Sequence, residues 1–487
     1  MFRDNDLAIL PDEAEARHEV RSEPLPWVQS RQGHPYFFTE DGAPWTPIGQ
    51  NDAISWVEFE GLFRRRDLPA VERHLRWLKA HGVTCLRLML EYAQVRHRYI
   101  EKPAGRFVPN MVQLWDDLFA LCERVGMRIL LTPVDTFWTW LHWRWHPWNK
   151  ANGGPLAHPS ETLLCGETRG VIKGRLDFAV RRWGGSGALF AWDLWNEIHP
   201  AQARDTAEPF GEFIHDLSQH VRKLELELYG RAHPQTVSLF GPELWWKPDL
   251  EMRDPIFRHP DLDFASIHIY REGPIDNPKD TVKPARQMAD IVAMCLGEVR
   301  DQRPFLDTEH GPIHAFKDKH KTLPAAFDDE YFRHMQWAHL ASGGAGGGMR
   351  WPNRKPHTLT PGMREAQRGL AEFLPLIDWN RFDRRCWNER VRVAADRVEA
   401  FGCGDDHQAL LWMVRQDVRR DGTLDPDAAP KPVELRCPAR PGEHGITLFD
   451  TRKGEVVEQR SIECTGDELV IEVALRTDLA IAVQRNV

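Results

Sequence analysis

Between residue 46 and about residue 376, short apolar runs alternate with longer segments whose apolar positions recur every three or four residues. The short runs, bounded by Gly, Pro or polar positions, read as buried strands, and the longer recurrence reads as helix. "TPIGQN" (46–51) precedes a helix marked by Val71, Leu75 and Leu78. "GVTCLRLML" (82–90) is a strand, and Leu114, Leu118 and Leu121 mark a helix that stops at Gly126, where a terminal glycine is expected. "MRILLTPVD" (127–135) follows, then a long insertion, a helix over about 167–184 and the run "ALFAWDLW". A helix through Phe210, Phe213, Ile214, Leu217, Val221 and Leu224 leads to "QTVSLFG" (235–241) and, after a connection without clear pattern, "LDFASIHIY" (262–270). The series closes with a helix at Met288, Ile291, Val292 and Cys295, "PFLDTE" (304–309), a helix near 328–341, "GGGMRW" (346–351) and a helix at 361–376.

Repeated strand-then-helix units predict an α/β fold with a parallel sheet, and eight of them favour a (β/α)8 TIM barrel over a doubly wound sheet. No GxGxxG or phosphate loop follows any strand, which weakens the dinucleotide-binding alternative. Ahead of the barrel, "YFFTEDGAPW" reads as a hairpin turning at Asp41-Gly42. Near residue 383 the pattern changes to short runs such as "ALLWMVR", "PVELRC", "ITLFD", "ELVIEVA" and "LAIAVQ", split by turn residues. That pattern predicts a small antiparallel β-sandwich. The chain therefore divides into an N-terminal segment with a barrel-floor hairpin (1–45), a barrel (46–382) and a C-terminal sandwich (383–487).

Composition adds exclusions more than identity. The 487 residues are 42% hydrophobic and 28% charged with a formal net charge of −9, which is ordinary for a globular protein and offers no nucleic-acid footprint. Arg64-Arg65-Arg66 reads as a solvated helix approach. No run approaches a membrane span, and the first residues lack the cationic and apolar regions of a signal peptide, so the expected location is cytoplasmic. The eight cysteines show no CxxC spacing and read as reduced core thiols, for example Cys85 and Cys295. Nothing in the pattern sets an oligomeric state. Twenty tryptophans stand out, five of them in "FWTWLHWRWHPWNK" at Trp138, Trp140, Trp143, Trp145 and Trp148. About half of those five are expected in the core, and the rest as a stacking wall for a ligand with apolar faces, such as a sugar.

Function in a barrel of this kind sits at the C-terminal strand ends. Those ends carry Asn51, Arg87, Asp135, Asn196 with Glu197, His268 with Tyr270, Glu309 and Trp351. A lone strand-end glutamate is usually a salt-bridge partner. Two of them, on the fourth and seventh strands, meet across the mouth and can cleave a glycosidic bond, one donating a proton and the other attacking. Asp135 reads as structural. His142 with His146, and His310 with His314, are four apart but lack the glutamate of HExxH, so no metal is expected, and no other cofactor is required. "GGAGGG" (343–348) lacks the Lys of a phosphate loop and is expected to let backbone pack beneath Trp351.

"WDLWNE" ending in Glu197, "HIY" at 268–270, "DTEHG" around Glu309 and "RW" at 350–351 together resemble the clan A glycoside hydrolases, in the style of the family 5 cellulase and mannanase group. "HPWN…GGP…RRWGGS…AWDLWNE" is similar to bacterial members of that group. The resemblance implies a retaining mechanism on β-linked glycosides or oligosaccharides, with mannosidic or glucosidic linkages foremost. It implies Glu197 as general acid and base, Glu309 as nucleophile, Asn196 as a partner of the sugar 2-hydroxyl, and Arg87 and Tyr270 as supports of Glu309. Trp351 would floor the subsite where cleavage occurs, and His268, Asn51 and Trp138 complete the expected substrate-binding set. Where many family 5 enzymes place a histidine pair after the third strand, this chain has Thr132-Pro-Val-Asp135, which leaves sugar identity open. The tryptophan-rich insertion suggests a cleft closed at one end and exo action. A barrel that binds carbohydrate without catalysis and a transglycosylase are the alternatives.

Overall fold

The computed structural model describes residues 23–54, 56–91, 99–313 and 322–486. Eight parallel strands form the central sheet: β1 Gly49–Asn51, β2 Cys85–Met89, β3 Arg128–Thr132, β4 Leu189–Asp193, β5 in the pieces Gln235–Thr236 and Ser238–Phe240, β6 Ala265–Ile269, β7 Phe305–His310 and β8 Met349–Arg350. The first piece of β5 pairs with β4, the second with β6, and β8 pairs with β1. The sheet thus returns on itself as a nearly closed barrel.

The helices are α1 Leu68–Ala80, α2 Pro109–Val125, α3 Thr136–Leu141, α4 Gly166–Trp183, α5 Phe210–Tyr229, α6 Glu243–Trp246, α7 Val282–Glu298, α8 Ala325–Ala341 and α9 Pro361–Phe373. The apolar stripes expected of α1, α2, α5 and α7 are the faces they bury, and Gly126 ends α2 in the left-handed region at φ 81°. The connection without clear pattern, 241–262, contains α6 and a single π-helical turn at Asp254–Arg258. The expected hairpin forms, with Phe37–Thr39 antiparallel to Pro44–Trp45. Phe37 packs on Trp45, Phe190 and Phe264, which plugs the barrel at its N-terminal end.

The C-terminal region holds nine strands in two antiparallel sheets. One sheet has six, Arg385–Cys386, Val398–Gly404, Gln408–Arg415, Asp478–Arg485, Gly442–Asp450 and Glu455–Cys464 in spatial order, and the other has Arg392–Val393, Lys431–Pro438 and Glu468–Leu475. Val398–Gly404 was hidden by its two glycines, and Glu455–Cys464 by lying at a sheet edge with almost every side chain outward. α8 lies between barrel and sandwich and is buried on nearly every side, so its sequence shows little amphipathic contrast.

The glycine run makes close approaches, but not to Trp351. A Cβ on Gly346 (φ +102°) would lie 2.1 Å from the Pro47 carbonyl, and one on Gly344 2.2 Å from the His339 ring, so the run lets β8 settle against the start of β1 and against α8. Gly311 is the glycine beneath the Trp351 carbonyl. All eight cysteines are free thiols, six of them buried. Among the described residues no helix is long and apolar enough to cross a membrane.

Candidate active site

β4 is apolar as far as Trp192, then delivers Asp193 into the barrel and, past its end, Asn196 and Glu197 to the mouth. Asn196 extends the pairing beyond the strand by a parallel bridge to Asp135. Glu197 then turns out of the strand at φ 52°, a left-handed conformation that strains a residue with a Cβ by about 1–3 kcal/mol. Its backbone N–H donates to the Ser238 hydroxyl at 3.2 Å, which holds the turn. Such an outlier at a strand end is common where a side chain must be aimed.

Glu309 reaches the same point from β7. The β6–β7 ladder slips by one residue after Ile267, so that His268 pairs with Glu309 rather than with Thr308. His268 Nδ1 then lies 2.7 Å from Glu197 Oε1 and 3.8 Å from Glu309 Oε2. Glu309 accepts from Tyr270 at 2.7 Å on one oxygen and from Arg87 at 3.1 Å on the other. A carboxylate oxygen of each glutamate and a ring nitrogen of His268 all fall within 4.8 Å of one another.

Arg87, fully buried on β2, organises the floor. It donates twice to Asp193 Oδ2 (3.1 and 2.6 Å), to Asn196 Oδ1 (2.6 Å), to Asn51 Oδ1 (2.8 Å) and to Glu309. Burial opposes its charge, but Asp193 and Glu309 outweigh that and hold the guanidinium more firmly protonated than usual. Asp193 also accepts from the Thr132 and Ser238 hydroxyls and from the Ser238 N–H, so no part of the buried pair is left unsatisfied.

The two glutamates differ electrically. Burial pushes Glu197 up to about 7, and Asp193 and Glu243 add to this against the pull of Arg87 and His199. Glu309 is also raised by burial and by Glu197, but His268, Arg87 and the Tyr270 hydrogen bond work against the rise. Burial lowers His268 to about 4, so at neutral pH it is a neutral imidazole. Asp135 is pushed up to about 8 by burial, against the N–H of Trp138 and the Asn196 amide that it accepts from.

A cavity of about 440 Å³ opens above the carboxylates, within the usual range for small-molecule sites. Asn196, Glu197, Tyr270, Glu309 and Trp351 line it as the sequence led one to expect. Arg87, His268 and Asn51 are placed differently: they lie beneath the carboxylates, fully buried, and not on the cavity surface. Asn51 donates to the Thr308 and Met349 carbonyls and accepts from Arg87, which makes it a strut between β1, β7 and β8 rather than a substrate contact. Trp138 is not among the cavity-lining residues either; it stacks on His142 and packs against Ala53, Trp56 and Met89. Trp140, two residues on, faces the cavity in its place. Of the five clustered tryptophans only Trp148 is fully buried.

Glu197, His268 and Glu309 are the one group among the described residues whose atoms lie close enough together to share a metal ion. The Arg87 guanidinium already supplies a cation at 3.1 Å from Glu309. His146 bonds to Glu91 and His310 to Asp307, while His314 lies outside the described residues.

No protein-family profile matches the sequence, and no curated protein does. Solved structures do. A crystal structure of a glycoside hydrolase family 5 protein from Bacteroides vulgatus aligns over 96% of this chain and 95% of its own, with TM-score 0.58 and 11% identity. An endo-β-1,4-mannanase from Thermotoga petrophila aligns over 90% of this chain and 91% of its own (TM-score 0.50, 14% identity). This chain has the fold of these family 5 structures. A family 5 mannosidase from Rhizomucor miehei matches over 67% of this chain and 86% of its own, with TM-score 0.51 and 15% identity.

Within that family 5 fold, the residues that sequence reasoning overlooked are Asp193, Ser238 and His199 near the carboxylates, and Phe137, Leu141 and Phe240 on the cavity wall. Asp193 had a signal, an acid ending an otherwise apolar strand four residues before Glu197. The wall residues had none, since apolar side chains in a helix and a strand read equally well as core.

Proposed function

We propose that this protein is a retaining β-glycoside hydrolase. One observation carries the reading: two glutamates from β4 and β7 bring carboxylate oxygens within 4.8 Å, one pushed to about 7 and the other bonded to an arginine and a tyrosine. Retaining hydrolysis requires carboxyl groups about 5–5.5 Å apart, whereas inversion needs room for a water between them.

In the first step the Glu309 carboxylate attacks the anomeric carbon, and the bond from that carbon to the leaving oxygen breaks. The leaving oxygen takes the Glu197 proton. Arg87 and Tyr270 keep Glu309 ionised and aimed, and the loss of its charge in the glycosyl ester leaves Glu197 the easier to ionise. Water then gives a proton to Glu197 and attacks the same carbon, and Glu309 departs as carboxylate. Asn196 receives Arg87 on its oxygen and donates one amide hydrogen to Asp135 at 2.5 Å, which fixes the amide so that its other hydrogen is available to a sugar hydroxyl.

The mannanase and mannosidase among the structural neighbours, together with the sequence resemblance, favour a mannosidic or glucosidic linkage. The insertion contributes Trp140 to the cavity wall. A panel of aryl β-glycosides tests the reading. Turnover is expected with wild-type protein and is lost in Glu309→Ala, and azide restores part of it by forming the α-glycosyl azide. Near-normal turnover in Glu309→Ala removes that residue from its role, and no turnover by wild type favours a binding protein. If added alcohols outcompete water for the glycosyl group, the same site is a transglycosylase.

A further inference from the structure

Glu197 protonates the oxygen of the departing group, so the elements beside β4 decide what that group can be. β3 and β5 are its neighbours, and apart from Asp135 and Thr136 the side chains they bring to the cavity are apolar. Phe137, Trp140 and Leu141, at i, i+3 and i+4 of α3, all face the cavity from one side of the helix. Leu141 is 60% exposed, although it is a side chain that proteins ordinarily cover. From β5, Phe240 also lines the cavity, packed against Tyr270 at 5.7 Å and against Trp246 at 5.8 Å. Trp246 is itself 56% exposed, so an aromatic path runs from the Glu309 partner outward to solvent.

Among the described residues, Asp135, Thr136 and His199 on this side are already bonded within the protein. The Thr136 hydroxyl donates to Gln202 and accepts from Trp195. Asp135 caps α3 through the N–H groups of Phe137 and Trp138 and holds Asn196. His199 faces Glu243 at 3.1 Å and accepts the Ala201 N–H. A second sugar seated here would have to share these groups with the partners they already hold, whereas an apolar group needs nothing from them.

We propose that the leaving-group side of the site takes an apolar aglycone, so that the preferred substrate is a β-glycoside of an alkyl or aryl alcohol rather than an oligosaccharide. The proposal rests on the hydrolase reading and narrows it. Methyl, octyl and benzyl alcohols leave with similar ease, so kcat/KM across their β-glycosides reports the wall and not the leaving group. Each fully buried methylene multiplies affinity roughly four-fold, so seating two of them already exceeds ten-fold.

The test uses full-length protein and octyl glycoside below its micellar concentration. The octyl glycoside is expected to exceed both the methyl glycoside and the matching β-1,4-linked disaccharide at least ten-fold in kcat/KM. A benzyl glycoside that equals the octyl one assigns the slot to flat rings, and an octyl advantage alone assigns it to chains. The double variant Phe137→Ser with Leu141→Ser is expected to shrink the octyl-to-methyl ratio at least three-fold. A flat series, or a disaccharide that outpaces octyl ten-fold, overturns the proposal. Calorimetry with octyl and methyl 1-thio-β-glycosides, which resist hydrolysis, reads the slot independently of turnover. Ten-fold tighter octyl binding without turnover of any glycoside keeps the slot and sinks the hydrolase reading, whereas turnover with equal thioglycoside affinities keeps the hydrolase and sinks the slot.

Discussion

Glu197 and Glu309 are one residue type within 4.8 Å of each other, and their partners make them chemically different. Glu309 has direct bonds from Arg87 and Tyr270, while the Glu197 carboxylate bonds to the His268 ring, and burial raises it to about 7 against the pull of Arg87 and His199. As a general acid Glu197 works when protonated, so kcat/KM is expected to fall about ten-fold per pH unit above 7. On the acid side activity falls as Glu309 takes a proton, above the ordinary carboxylate range because its own value is raised. In Glu197→Gln, a dinitrophenyl glycoside, whose leaving group needs no proton, should retain the acid limb and lose the alkaline one. An alkaline limb that survives this substitution belongs to another group. At this scale the sequence placed the two glutamates, Asn196 and Tyr270 at strand ends from the pattern alone. It misplaced Asn51 and Trp138, because strand position does not say whether a polar group is already bonded, nor which side of a short helix meets the cavity.

At the scale of elements, the site depends on how the insertion after β3 is tied down. Arg175 of α4, 1% exposed, bonds to Glu91 just beyond β2, to Glu101 and to the Pro133 carbonyl after β3. Glu101 in turn accepts the Trp148 indole N–H at 3.1 Å, and Glu91 accepts the Asp135 N–H at 3.0 Å. Arg175→Met strands two buried carboxylates and should destabilise the fold by about 3–5 kcal/mol, read as a lower urea midpoint. Adding Glu91→Gln and Glu101→Gln should recover part of that loss, and no change in the single variant would mean the clamp holds nothing. Despite burial, Arg175 and His146 hold Glu91 down at about 2, below its ordinary 4.5. Its contribution to stability is therefore complete above pH 4.5 and is lost as the pH falls toward 2. Strands and helices were legible here by period, whereas this clamp was not, since its members lie far apart in the chain.

At the scale of the molecule, one face of the sandwich joins the barrel's apolar core, while a second core lies between the sandwich's own sheets. Trp337 of α8 and Phe373 of α9 pack on Phe449, and His334 packs on Trp412. Arg333 pairs with buried Asp478, which burial alone would raise but which Arg333 and His334 hold far below the usual carboxylate range. Removing residues 383–487 would expose this face of α8 and take Asp478 from Arg333, so the truncated barrel should be insoluble. A soluble, active 1–382 fragment, checked by sedimentation and glycoside turnover, would show the sandwich to be dispensable. Three sandwich strands escaped sequence reading: Arg385–Cys386 is two residues long, Val398–Gly404 is interrupted by glycine, and Glu455–Cys464 carries almost no buried face.

By itself the sequence determined the period of each element, and so the barrel, the following sandwich and the strand ends on which acids stand. Those are local properties, set by backbone geometry and by the need to bury every second or every third and fourth side chain. Only the tertiary structure decided which acids meet, which polar groups are already bonded and which apolar side chains remain uncovered. Each of those depends on neighbours distant along the chain, brought together when the sheet closes on itself and the sandwich covers α8.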